Sequence, residues 1–229
     1  MLSHTVVIYA LLGGIIPAIF WLNFWLKEDN HREPRHVILG AFLLGMATIF
    51  IAIPLEHIVN LFFPNYNLIT LFLWASIEEI VKFGAAYIIA IRTRFNIEPI
   101  DASIYLITAA LGFAAFENTL FLLTPLADGD IAAGIVSINL RFVGATLLHV
   151  ISSGIIGVFL GLVFYKSKSI KHTMLVIGLL TAIVLHTLFN HFIITRGDNL
   201  LVVFSGVWIG LVVVILVLEH IKKIKRIHK

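Results

Sequence analysis

Seven apolar runs, at about residues 5–26, 37–63, 68–91, 102–124, 140–165, 173–195 and 200–219, decide what this chain can fold into. Each reaches the ~20 residues that an α-helix needs to cross about 30 Å of hydrocarbon. Only 13% of the residues are charged and 60% are hydrophobic. A soluble domain carries about 25% charged residues, so this chain lacks the polar surface to cover itself in water. The expectation is an all-α, polytopic transmembrane bundle of about seven helices, with residues 1–229 forming a single integral membrane domain. The first run is too long for a signal-peptide core and is followed by charges rather than a cleavage site, which predicts a retained helix. Cysteine is absent, which excludes disulfides, a thiol nucleophile and cysteine metal sites.

The basic residues give the orientation. With the N-terminus outside, the inner segments hold Lys27, Arg32, Arg35, Arg92, Arg94, Lys166, Lys168, Lys171, Lys222, Lys223, Lys225, Arg226 and Lys229. The outer segments hold Arg196, with Arg141 at a helix mouth. The positive-inside rule then predicts N-terminus out and C-terminus in. The net charge of +3 follows from these loops, so it marks topology and not a nucleic-acid partner. The outer segment Thr124–Asn139 carries Asp128, Gly129 and Asp130 before the apolar stretch IAAGIVSI. Two readings fit it: a surface or re-entrant helix capping the bundle, or a loop followed by an extended fifth helix. Gly157 with Gly161, and Gly206 with Gly210, are small-xxx-small pairs suited to close helix packing.

Ionisable side chains interrupt the apolar runs. The second run holds Glu56 and His57, the third Glu78, Glu79 and Lys82, and the fourth Glu117 and Asn118. The fifth holds His149, and the sixth holds His186, Asn190 and His191. A charge at mid-membrane costs roughly 2.5–3.5 kcal/mol on insertion scales, so such residues face a bundle interior or a water-filled cavity. Depth is the stronger argument. At 1.5 Å per residue, Glu78 lies about 15 Å, Glu117 about 10 Å, and His149 and His186 about 13 Å below the outer ends of their helices. Four helices thus deliver polar groups to one layer in the outer half of the bilayer. Glu78 and Lys82 share a helical face, as do Phe113 with Glu117 and His186 with Asn190. Glu79 is turned about 100° from Glu78, which predicts a different role. Alone, Glu78–Lys82 reads equally well as an intrahelical pair that eases insertion, and His149 as a hydrogen-bonded interior histidine. His57 and His191, near the outer interface, read as structural.

No Ser–His–Asp arrangement and no HExxH are evident, so carboxylates, histidines and an amide must carry any chemistry. Peptide hydrolysis needs a base for water, donors for the oxyanion and a proton for the leaving amine. A buried carboxylate can serve as base near neutrality, with His186 and Asn190 as oxyanion donors. Alternatively, Glu79, Glu117, His149 and His186 are candidates to bind one divalent metal such as zinc, which would activate the water.

The string EEIVK, holding Glu78, Glu79 and Lys82, resembles the EExxK motif of the PrsW family of intramembrane proteases, in the superfamily of CAAX prenyl proteases and bacteriocin-processing enzymes. GFAAFEN resembles an FxxxE motif through Phe113 and Glu117, HVISSGIIG is similar to the histidine segment at His149, and HTLFN is an HxxxN variant at His186 and Asn190. The charged connection FWLKEDNHREPRHVILGAFLLG is also similar. Four short motifs in register cover most of the chain. Asn190 departs from the Asp of many relatives, which favours an oxyanion role there over a metal ligand. The resemblance implies a membrane peptidase acting on membrane-anchored proteins, regulators such as anti-sigma factors among them. It implies Glu78 as general base, Glu79 and Glu117 assisting or binding metal, His149 completing the pocket, and Lys82, Phe113 and Asn118 in support. A proton- or ion-coupled transporter is the competing class, although no inverted repeat is evident. A non-enzymatic scaffold is the third.

Overall fold

The computed structural model describes residues 3–29, 31–65, 67–195 and 200–225. Among the described residues the chain is helical, with no strand. The helices are α1 (His4–Trp25), α2 (Arg35–Ala47), α3 (Ile49–Phe62), α4 (Leu68–Ala86), α5 (Asp101–Ala127), α6 (Ile131–Leu140), α7 (Thr146–Leu162), α8 (Lys168–Thr195) and α9 (Leu200–Ile221). They make seven passes, because α2 runs into α3 and α6 into α7. Thr48 marks the first join, where its hydroxyl donates to the Gly45 carbonyl at 2.6 Å. A π-helical turn, Arg141–Ala145, forms the second join. In the segment 124–139, residues 124–127 end α5, a short turn follows at 128–130, and the rest begins an extended fifth pass rather than a separate cap. Gly129, at φ 77°, makes the turn, and Asp130 caps α6 by accepting from Ala133 N–H at 2.9 Å.

Six of these passes are long and apolar enough to cross a membrane. The pass led by α4 falls short of that standard because Glu78, Glu79 and Lys82 lie inside it, and all three side chains are buried. Helix α5 is the axis of the bundle. Every residue from Asp101 to Ala115 is buried, as expected of a helix that is apolar on all sides. Helices α1, α2 and α7 pack directly on it. The crossings are close: a methyl group on Gly112 would lie 2.0 Å from the Phe42 carbonyl oxygen, and one on Gly157 would lie 2.3 Å from Ser103 Cα. Gly161 likewise meets the Pro99 carbonyl, so the Gly157–Gly161 pair is a packing seam. The Gly206–Gly210 pair is not. Among the described residues nothing lies within 4 Å of a methyl on Gly206, and Gly210 faces Ile151 at an ordinary 3.6 Å.

The basic connections share one end of the bundle. Lys222, just after α9, bonds Glu28 in the α1–α2 connection at 2.9 Å, and His31 in that connection pairs with Glu98 before α5 at 2.7 Å. Glu33 in the same connection accepts from the Tyr105 hydroxyl on α5, and burial pushes its carboxyl up to about 8. Arg196, Arg226 and Lys229 lie outside the described residues.

Candidate active site

Helices α4, α5, α7 and α8 each deliver polar side chains to one buried layer. Glu79, fully buried on α4, is its most heavily bonded member. Its Oε1 accepts from Lys82 Nζ at 2.6 Å and lies 2.8 Å from His186 Nδ1, while its Oε2 accepts from Ser153 Oγ at 3.0 Å. Lys82, also without exposure, reaches His149 Nδ1 at 3.0 Å and lies over the Phe113 ring at 4.9 Å. An ammonium can only donate, so His149 Nδ1 is the acceptor and its Nε2 carries the proton. That Nε2 faces Glu117 Oε2 at 3.0 Å. The ring of His149 is thus fixed at both nitrogens, and Phe113 packs beside it at 5.5 Å between centroids.

Glu78 behaves differently from its neighbour. Its Oε2 is buried and has no hydrogen-bond partner among the described residues. It lies 3.7 Å from His149 Nδ1, 3.8 Å from His186 Nε2 and 3.7 Å from Lys82 Nζ. With Nδ1 turned to Glu79, the neutral His186 ring presents the Nε2 lone pair to Glu78. Three acceptor atoms therefore converge, from Glu78, His149 and His186, all within 4.8 Å of one another. A buried acceptor without a donor is costly unless a proton, a water or a cation satisfies it. The donor set and spacing suit one small divalent cation, because tetrahedral zinc takes nitrogen and carboxylate oxygen ligands at about 2.0–2.2 Å.

The structure brings together every site residue expected from the sequence. Glu78, Glu117, His149, His186 and Asn190 line one cavity of about 560 Å³, with Glu56 on its wall. Of the four expected metal candidates, His149 and His186 belong to the converging trio. Glu79 stands behind His186, engaged by Lys82 and Ser153, and Glu117 stands behind His149. The trio's carboxylate is Glu78. Asn118 supports from the side, donating to Thr146 Oγ1 at 2.9 Å. Sequence reasoning missed three members. Ser153 and Thr146 are small hydroxyl residues of a kind common in apolar helices, and they carry no signal of their own. Arg141 donates to both Glu117 and Asn118, yet by position it reads as a loop residue at a helix mouth. A second, mainly apolar groove of about 760 Å³ between α7, α8 and α9 shares Leu148 and Phe189 with the cavity.

The family model described as PrsW family intramembrane metalloprotease matches residues 33–218, a stretch that contains the whole constellation. The chain belongs to the PrsW family. It is 30% identical over 200 residues to the protein named Protease PrsW of Halalkalibacterium halodurans, covering 84% of this chain and 87% of that one. It is 27% identical to Protease PrsW of Bacillus subtilis, covering 82% and 83% of the two chains, and 27% identical to that of Clostridioides difficile, covering 78% and 76%. No solved structure is significantly similar. Membership of the PrsW family, with six long apolar helices, makes this a multi-pass membrane protease. The transporter reading finds no support among these relatives.

Proposed function

We propose that this PrsW-family protease hydrolyses peptide bonds of membrane-anchored proteins at the Glu78–His149–His186 centre, anti-sigma-like regulators being one such substrate class. The observation that carries the reading is the orphaned Glu78 Oε2, buried between two ring nitrogens on the wall of a polar cavity. An ion or a water at that point meets an acceptor with no competing donor, so Glu78 is placed to hold the one or to take a proton from the other. Glu79 orients His186 and offsets the charge of Lys82. His186 serves as an acceptor or ligand in this reading, since its Nδ1 already faces Glu79. Asn190, one turn further along α8, is left as the amide donor on the cavity wall.

Glu78, His149 and His186 are the residues that would hold a divalent cation such as zinc. Such an ion would supply Lewis-acid activation of water and of the scissile carbonyl. Holding it asks Lys82 to release His149 Nδ1 while keeping Glu79. That hydrogen bond, at 3.0 Å, is the observation favouring a second reading, in which Glu78 activates water without an ion. Metal analysis of the purified protein is expected to find one divalent ion per chain, lost in His186→Ala, and cleavage is expected to stop on exhaustive chelation. Full cleavage by metal-free protein would establish the second reading.

The cytoplasmic membrane, with the N-terminus outside, is the setting in which this reading places the chain, on the strength of the basic end described above. The catalytic layer then lies toward the extracytoplasmic face. The natural absence of cysteine makes this easy to check. A single cysteine at Ser167 is expected to react with an impermeant maleimide only after the membrane is opened, and one at Asn65 in intact cells. The reverse pattern would overturn the orientation.

A further inference from the structure

Arg141 stands on the π-helical turn between α6 and α7. Its guanidinium donates from Nη2 to Glu117 Oε2 and from Nε to Asn118 Oδ1, and its carbon centre lies 3.9 Å from the centroid of the Phe121 ring. Glu117 and Asn118 are neighbours on α5, and Phe121 lies one turn further along it. The oxygen that receives Nη2 is the one that faces His149 Nε2 at 3.0 Å. A basic residue near a helix end in a membrane ordinarily snorkels toward the interface. Arg141 points inward instead, and its side chain is only 15% exposed. Arg141 is the first residue of the π turn, where the helix widens between α6 and α7.

We propose that Arg141 is a positioning residue for hydrolysis, fixing the Glu117 carboxyl group and, through it, the plane and tautomer of His149. This rests on the reading of Glu78–His149–His186 as the hydrolytic centre. Lys82 also donates to His149 Nδ1, but when Nδ1 is released to serve the Glu78 centre, the bond from Nε2 to Glu117 is what still holds the ring. A carboxyl group at the mouth of a cavity rotates freely unless a second donor pins it. The planar fork of arginine does so by engaging two adjacent side chains at once, with Phe121 beneath as a platform. A lysine has the charge but not the fork.

The test uses the full chain in liposomes with a single-span substrate, comparing wild type, Arg141→Gln, Arg141→Lys, Glu117→Gln, Glu78→Gln and the double variant Arg141→Gln/Glu117→Gln. Arg141→Gln is expected to lower kcat about 10–100-fold, the usual cost of losing an outer-shell partner, with KM unchanged. In the Glu117→Gln background the same change is expected to add almost nothing, since the two groups act as one unit. Guanidinium ion at a sub-denaturing concentration restores part of the activity of Arg141→Gln, which a misfolded variant would not permit. Should Arg141→Gln fail to fold, Arg141→Lys carries the test, with a smaller kcat loss and the same non-additivity. Losses that add in the double variant, or a rise in KM alone, would overturn the proposal. Full activity of Glu117→Gln beside a dead Glu78→Gln would overturn it and leave the hydrolytic reading standing. Wild-type rates in every variant, Glu78→Gln included, would remove both.

Discussion

Glu79→Leu is expected to destabilise the folded protein by about 3–5 kcal/mol, the usual cost of leaving one charge of a buried pair without its partner. The size follows from what the carboxyl group touches. Lys82 has no exposure, and its closest partner is Glu79 at 2.6 Å, whereas Glu78 stands at 3.7 Å. Ser153 and His186 Nδ1 would lose their acceptor in the same step. Each buried donor left without a partner adds about 1–3 kcal/mol, although these losses overlap. The companion variant Glu79→Leu/Lys82→Met removes both charges and is expected to recover much of the loss, as apolar replacements of buried ion pairs generally do. Thermal unfolding of the purified proteins in micelles checks both. Wild-type stability in Glu79→Leu would mean that the Glu79 network does not hold the bundle together.

The sequence made the seven passes legible because hydrocarbon thickness sets a length that no soluble helix has to meet. The constellation was legible because helices of opposite direction placed charges at one depth, and depth follows from counting residues. Counting does not resolve which of two adjacent carboxyl groups does what. Glu78 and Glu79 differ by one position, and only the packing of α7 and α8 against α4 decides that Glu79 faces Lys82, Ser153 and His186 while Glu78 faces the cavity. Arg141 was hidden for a related reason. A reading at 3.6 residues per turn assumes constant phase, and the π turn at 141–145 breaks that phase between α6 and α7. The glycine pairs make the same point from the other side. Gly157 and Gly161 meet the backbone at and just before the start of α5, whereas Gly206 meets nothing among the described residues, because a small residue permits close approach without supplying a neighbour.

Glu78→Gln is expected to remove about 10²–10⁴-fold of proteolytic activity, the range associated with a single proton-transferring group. Its structural cost is small. The amide has the same shape, and Oε2 makes no hydrogen bond that could be lost. Lys82 gives up a contact at 3.7 Å and keeps Glu79 at 2.6 Å. Activity and stability therefore separate at this residue, in contrast to Glu79, and the separation distinguishes a catalytic group from a packing device. The most direct measurement is cleavage of a single-span membrane substrate by the purified protein in liposomes, wild type beside Glu78→Gln, with unfolding temperatures recorded for both. The account predicts cleavage within the membrane segment by wild type and none by an equally stable Glu78→Gln. Equal cleavage by the two would contradict it.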